Sequence, residues 1–323
     1  MKRIRSNFLK QTGIFLVLFL AGSGFAGGDA SGADGTVLKK YFTESGLPNA
    51  WVKGIFRDGD RVLVSYPGGT AAWDPAEGKF VPFGPGKGFK GSFVTGLAAY
   101  GGKTYVGTEA ALNVREGGNW TSLDRFQQVQ HSEELLYSDG KSLYALARVM
   151  FGGVLRFDGA NWSIVNRGAG TGIMNNATSL LTRGGELFIG TTTNGLFYFD
   201  GNDWKVIGTE QGLPGIWVTS LAETSEGVWI GCYNGLALFQ DGKIRKFAVA
   251  DGVPSNKISV LKVIKDKLVI GTMDGGAAVK NRNLFVKVTM ENGLSDNRIE
   301  AIEAADEGAW VGTVNGLNLV EVR

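Results

Sequence analysis

The chain has 323 residues, with 33 Lys and Arg against 31 Asp and Glu, one histidine, one cysteine, 50 glycines and 7 prolines. A single histidine excludes a multi-histidine metal centre, the lone Cys232 excludes an internal disulfide, and the balanced charge argues against the clustered basic face that nucleic acid or anionic lipid needs. Glycine at this density suits turns, because in a helix each one costs about 1 kcal/mol against alanine.

The first element in chain order, "MKRIRSNFLKQTGIFLVLFLAGSGFAGG", has a basic head, an apolar run over 14–21 and a small-residue exit. This pattern predicts a signal peptide over 1–26 with cleavage near Ala26. The apolar run is too short to cross a membrane, which takes about 20 residues, and no cysteine stands at the exit for lipid attachment. Residues 27–35 read as a flexible linker and 36–323 as the folded domain, with no second apolar run long enough to span a membrane. An exported protein is expected, periplasmic or secreted and monomeric. Of its Lys and Arg, four (Lys2, Arg3, Arg5 and Lys10) leave with the leader, so 29 remain against 31 Asp and Glu.

The rest of the chain is a repeat. The glycine of a "WIGT"-like phrase recurs at Gly107, Gly190, Gly231, Gly271 and Gly312, at intervals of 83, 41, 40 and 41. The double interval hides a copy, "KSLYALARVMFGGVLRFDGANW", with Leu146 in the glycine slot; "DRVLVSYPGGTAAW" is an earlier copy with Ser65 there. That makes seven units. Each holds four short apolar runs; in the fifth they are "WVTSLAE", "GVWIGC", "GLALFQ" and "KIRKFAV". Asn194-Gly195, Asn234-Gly235, Asp274-Gly275 and Asn315-Gly316 sit at one place in the unit and read as hairpin turns with positive φ. The prediction is an all-β protein, a seven-bladed β-propeller with four-stranded antiparallel blades.

A fourth-strand ladder (Phe80, Trp120, Trp162, Trp204, Ile244, Phe285) recurs every 40 to 42 residues, with a second apolar residue three positions on. Its seventh copy is absent after Gly316 and reappears in "TVLKKYFTESG", as Leu38 and Tyr41. The N-terminal strand should therefore complete the last blade, closing the ring and removing an open edge. Trp120, Trp162, Trp204, Trp229 and Trp310 occupy slots that are bulky and apolar in other units, so they are read as packing residues.

"ESGLPNAWVKGIF", "DGVPSNKISVL" and "NGLSDNRIEAI", with "LFIGTTTNGLFYF" and "AWVGTVNGLNLV", resemble the two-component regulator propeller repeat. The resemblance covers about 37–323 and implies a sensor-type propeller, like those on the periplasmic side of membrane-bound histidine kinases, many of which respond to polysaccharide fragments. Here a single stand-alone propeller without a kinase is expected.

One slot, just before each first strand, does not repeat. It reads Trp51, Phe93, Asn176, Trp217, Lys257 and Arg298, and in the third unit falls within 131–133. First strands line a propeller's axis, so these side chains should ring one mouth of the channel. Turns after the second strands add Tyr66, Glu109, Arg148, Tyr233 and Asp274 to the same face. Aromatic faces beside cations suit a sugar, an aromatic ligand or the anchor residues of a protein. The expected function is non-catalytic recognition of a small molecule such as an oligosaccharide, without a cofactor or metal. The alternative is a scaffold docking a cell-envelope protein, such as a separate sensor kinase or secretion component. A lyase or hydrolase is the third reading. The lyase would resemble streptogramin lyases, whose activity is associated with histidine and acidic residues on the face, and here has His131 as its one histidine; a metal-dependent lactonase would need Glu109, Asp274 and Asn315 to converge. "RDGDR" and "DGNDW" lack the spaced ligands and final glutamate of a calcium loop.

Overall fold

Apolar and polar residues alternating with a period of two, cut at short intervals by Gly, Asp and Asn, give hairpins rather than helices. The computed structural model describes residues 34–123, 136–147, 153–165 and 176–323. Its strands form seven four-stranded antiparallel sheets, six of them meanders of four consecutive strands and the seventh made of the last three strands and the first. The innermost strands of blades 1 to 7 are Gly54–Asp58, Val94–Tyr100, Leu136–Ser138, Ala177–Arg183, Val218–Thr224, Ile258–Ile264 and Ile299–Ala304. Neighbouring blades pack in cyclic order, with blade 7 against blade 1. The seven-bladed propeller predicted from the repeat is the fold. The signal-peptide reading over 1–26 lies outside the described residues.

The glycine and threonine of the repeated phrase have separate steric jobs. A Cβ at Gly190, Gly231, Gly271 or Gly312 would lie 2.5, 2.7, 2.7 or 2.5 Å from Val218, Ile258, Ile299 or Val52; the first three lead the next blade's first strand, and Val52 stands just before the strand Gly54–Asp58. Glycine is what lets the blades approach. Blade 3 solves the same problem in reverse: Leu146 fills the slot, and the facing residue on blade 4 is the small Ala177, packed in the same cluster. The threonine closes the turn on the mouth side. Thr191, Thr272 and Thr313 each donate Oγ1 to a turn carbonyl, of Gly195, Gly276 and Gly316 respectively. Cys232 takes this place in blade 5, fully buried, and burial pushes its thiol up to about 12 against a smaller opposing effect of the Gly215 backbone.

The hairpin expectation needs refinement. At the four Asn-Gly and Asp-Gly sites only a glycine has positive φ, namely Gly195, Gly235, Gly276 and Gly316, so these are not turns with two left-handed residues. Such a turn occurs at Asp241-Gly242, on the opposite face, with φ of 51° and 74°.

Val37–Tyr41 pairs with Gly316–Glu321 and is the outermost strand of blade 7, which closes the ring. Tyr41 is buried and meets Trp73, Phe80 and Trp310 with ring centroids 5.3, 5.9 and 5.7 Å away. Leu38 does not fill the fourth-strand slot assigned to it. A bulge between Val37 and Lys39 turns it to solvent, and Val37 packs on the core instead.

Asp34 fastens this strand. Its carboxylate accepts from Lys267 Nζ, from Asn281 Nδ2 at 3.0 Å and from the Arg323 backbone N–H at 2.9 Å. Burial alone would raise the carboxyl, but the Arg323 N–H and the Lys267 ammonium more than offset it and hold it below its ordinary 3.8. A depressed carboxylate stabilises the fold above its unfolded pKa, and that contribution is lost as pH falls through the folded value. Asp34→Asn should therefore lower Tm at pH 7 by roughly 3–6 °C, with the gap closing as pH falls below the ordinary carboxylate value of 3.8. A pH-independent gap in paired melting curves would show that the ion pair is not what Asp34 supplies.

Candidate functional site: one mouth of the channel

The loops leading into the first strands are anchored from below. Gly46, Gly212, Gly252 and Gly293 are left-handed, and the residues after them, Leu47, Leu213, Val253 and Leu294, are buried. Four positions beyond each anchor stand Trp51, Trp217, Lys257 and Arg298. Three of these have their N–H accepted by a side chain two residues earlier: Trp51 by Asn49 at 2.8 Å, Lys257 by Ser255 at 3.1 Å and Arg298 by Asp296 at 2.8 Å. The loops are also stitched blade to blade, since Gly195, Gly276 and Gly316 donate to the carbonyls of Ile216, Asn297 and Ala50. The side chains therefore project from preorganised backbone, as binding groups on a rigid scaffold do.

The predicted residues gather in pairs. Trp217, 42% exposed, lies parallel to Tyr233, with centroids 4.8 Å apart and planes 9° apart. The Tyr233 N–H donates to the Trp217 carbonyl, which fixes the two backbones together. On blade 6, Lys257 Nζ donates to Asp274 Oδ2 at 2.7 Å, and Ser255 Oγ donates to Asp274 Oδ1 at 2.5 Å. The bond to Asp274 raises the Lys257 pKa, and the Lys257 ammonium, with help from Ser255, lowers that of Asp274. Both stay ionised across the neutral range.

At the seam of blades 7 and 1, Trp51 lies beneath two cations. Lys53 Nζ is 3.8 Å and the Arg298 guanidinium carbon 5.9 Å from its ring centroid. Glu300 joins them: Arg298 Nε donates to its Oε1 at 2.7 Å, and Lys53 Nζ stands 3.7 Å from Oε2. Trp51 itself is half-buried, and its Nε1 is buried without a hydrogen-bond partner among the described residues.

The remaining residues are engaged locally. Glu109 accepts from the N–H groups of Ser92 and Phe93, both at 2.8 Å, and from Ser92 Oγ. Burial pushes its carboxyl up, but these backbone donors outweigh that and hold it below its ordinary range. It is a clamp on the loop that carries Phe93. The Asn176 carbonyl accepts from the Thr192 N–H, and Tyr66 packs against the core shared by blades 7 and 1. Arg148 and His131 lie outside the described residues.

Sequence reasoning missed a second tier. Two positions after each mouth residue come Lys53, Thr95, Thr178, Thr219, Ser259 and Glu300, with the same intervals as the mouth slot. In blades 2, 4, 5, 6 and 7 this residue sits in a β-bulge of the first strand. Bulges re-aim side chains near functional sites. The signal was available as a periodic polar position inside otherwise apolar strands.

Among the described residues, no group of three or more His, Cys, Asp or Glu is placed to hold a metal ion. Asp58 of "RDGDR" makes a two-point ion pair with Arg115, and Asp200 of "DGNDW" accepts from the N–H groups of Asn202 and Asp203. Both aspartates are thus committed to structure. Among the described residues no helix is long and apolar enough to cross a membrane.

No protein-family model and no curated protein matches the chain. Among solved structures it is similar to the extracellular domain of the hybrid two-component system BT3049 of B. thetaiotaomicron, at 20% identity and a TM-score of 0.70, over 88% of this chain and 42% of that one. It is likewise similar to the extracellular domain of the one-component system BT4673 of B. thetaiotaomicron, at 17% identity and TM-score 0.67, over 90% and 40%. A third is PorZ, described as a bacterial surface component of the type-IX secretion system of Porphyromonas gingivalis, at 14% identity and TM-score 0.60, over 86% and 39%. The chain spans about two-fifths of each of these proteins. At such identities the likeness shows a shared fold.

Proposed function

We propose that the chain is an exported, non-catalytic recognition module of the two-component regulator propeller type, which binds a small ligand of the oligosaccharide class at the mouth. The observation that carries this reading is the parallel Trp217–Tyr233 pair, whose Trp217 ring is 42% exposed. A flat apolar wall is expensive to leave in water unless something covers it. A pyranose has an apolar C–H face and a rim of hydroxyls, which suits such a wall with the polar Lys257–Asp274 pair on the adjoining blade. The extracellular, regulatory setting of the two similar B. thetaiotaomicron domains supports export and a sensing role.

Trp217→Ala should weaken oligosaccharide binding by about tenfold or more, the usual range for an aromatic anchor. Its Tm should move by no more than about 1–2 °C, as for an exposed position. Titration calorimetry against hits from a glycan array provides the check. Unchanged affinity would remove the pair from the site.

A second reading rests on a different observation. Ile216, Val249 and Met290 are 48%, 48% and 55% exposed and lie on three consecutive leading loops of the same face. These exposed apolar side chains suit a protein partner, and PorZ is described as a surface component of a secretion system. An envelope protein retained by the immobilised propeller, and lost when Val249 and Met290 become aspartate, would favour docking, provided no saccharide binds.

A further inference from the structure

The seam of blades 7 and 1 has more hydrogen-bond donors than acceptors. Lys53 reaches Glu300 only at 3.7 Å, and Arg298 bonds it through Nε alone. Among the described residues, the two terminal guanidinium nitrogens of Arg298 have no protein acceptor, and the buried Trp51 Nε1 has none either. One carboxylate therefore serves two cations, and the other nearby carboxylate, Asp296, accepts from the Arg298 backbone N–H rather than from its guanidinium. Lys257 on blade 6, by contrast, is fully matched by Asp274 at 2.7 Å. The Lys53 and Arg298 side chains are 30% and 53% exposed, whereas Glu300 is 15% exposed beneath them. The cations face incoming solute, with the carboxylate behind.

From this we infer that the seam is a carboxylate-binding subsite, formed by Lys53 and Arg298 over Trp51, and that the ligand is an acidic saccharide carrying a uronate group. The inference rests on the saccharide reading proposed above and specifies the chemistry of its ligand. The free edge of Arg298 offers the parallel N–H pair that a carboxylate accepts, while Lys53 supplies a compact charge held over the indole face. Glu300 aligns both cations when no ligand is bound and competes with the ligand for them. It is a positioning residue, so its removal should tighten binding.

The test compares oligosaccharides of galacturonate, mannuronate and glucuronate with their methyl esters, which keep the ring and lose the charge. Titration calorimetry on the wild-type protein should give the acid forms an advantage of about 10- to 100-fold, as expected for charge-assisted hydrogen bonds, and the advantage should fall as salt rises. In Lys53→Met/Arg298→Gln the acid and ester should bind alike. In Glu300→Gln the acid should bind several-fold tighter with the ester unchanged, a result that a merely structural role does not give. Melting curves of each variant establish that the fold is intact. Equal binding of acid, ester and neutral glycans by the wild type overturns the inference and leaves the saccharide reading standing. Binding of no glycan in any of these forms overturns both.

Discussion

A chain lacking residues 34–42 is expected to lose its cooperative melting transition near neutral pH and to elute as aggregate. The missing stretch contains the outer strand Val37–Tyr41 of blade 7, the Asp34 clasp and the two exchanges with Glu321, in which Gly35 N–H donates to its carbonyl and its N–H donates to the Thr36 carbonyl. Loss of the Tyr41 ring alone, from its contacts with Trp73, Phe80 and Trp310, should cost about 3–5 kcal/mol. The rest follows, against a total stability of about 5–15 kcal/mol for a domain. Gly316–Glu321 would then be an unpaired edge of alternating Leu, Asn and Val, a template for another chain. A synthetic peptide of residues 34–45 should restore a melting transition by adding the strand in trans. Tyr41→Ala should fall between, folded but less stable. A truncated chain that stays monomeric and melts within a few degrees of the intact one would mean that the ring does not depend on this closure.

The architecture was legible because its rules are steric and recur in every blade. Glycine at 190, 231, 271 and 312 marks where the neighbouring blade's Val or Ile approaches, and the following threonine marks a turn that needs a hydroxyl. Such constraints act on residue type, so they appear in the sequence at a fixed interval. What was less legible depends on side-chain direction. Nothing in "GSFVTG" and "GTEAA" foretells that Glu109 reaches back to the Ser92 and Phe93 N–H groups instead of facing the channel. The same holds for the pairing of Lys257 with Asp274 and the stacking of Tyr233 on Trp217. Leu38 illustrates a third limit. Counting by interval assumes an unbroken register, and one bulged residue moves the apolar slot to Val37. The mouth residues were found by asking where the repeat fails. Lys53 and Glu300 escaped because in their tier the other described blades carry small hydroxyl residues, which read as ordinary strand composition.

Exchange of the glycine rule of blade 5 for the inverted solution of blade 3 provides the sharpest test of why the blades fit. Gly231→Leu alone is expected to destabilise strongly, because its Cβ would stand 2.7 Å from Ile258 Cγ2 and 3.2 Å from Thr219 Oγ1. Overpacking of this kind costs about 1–3 kcal/mol, and more where the backbone cannot yield. Ile258→Ala alone removes a fully buried side chain and should cost about 2–5 kcal/mol through the cavity it leaves. The pair together recreates the Leu146 and Ala177 arrangement between blades 3 and 4. The double variant should therefore be more stable than the sum of the single effects implies, by a coupling of about 1–3 kcal/mol in denaturant titrations. It should not reach the wild type, because Thr219 still crowds the new leucine and Trp229, in the same cluster as Ile258, keeps the shape of its original neighbour. Strict additivity would show that the Gly231–Ile258 contact does not set the blade spacing. The periodic glycine would then answer to a demand within its own strand, not to the approach of the next blade.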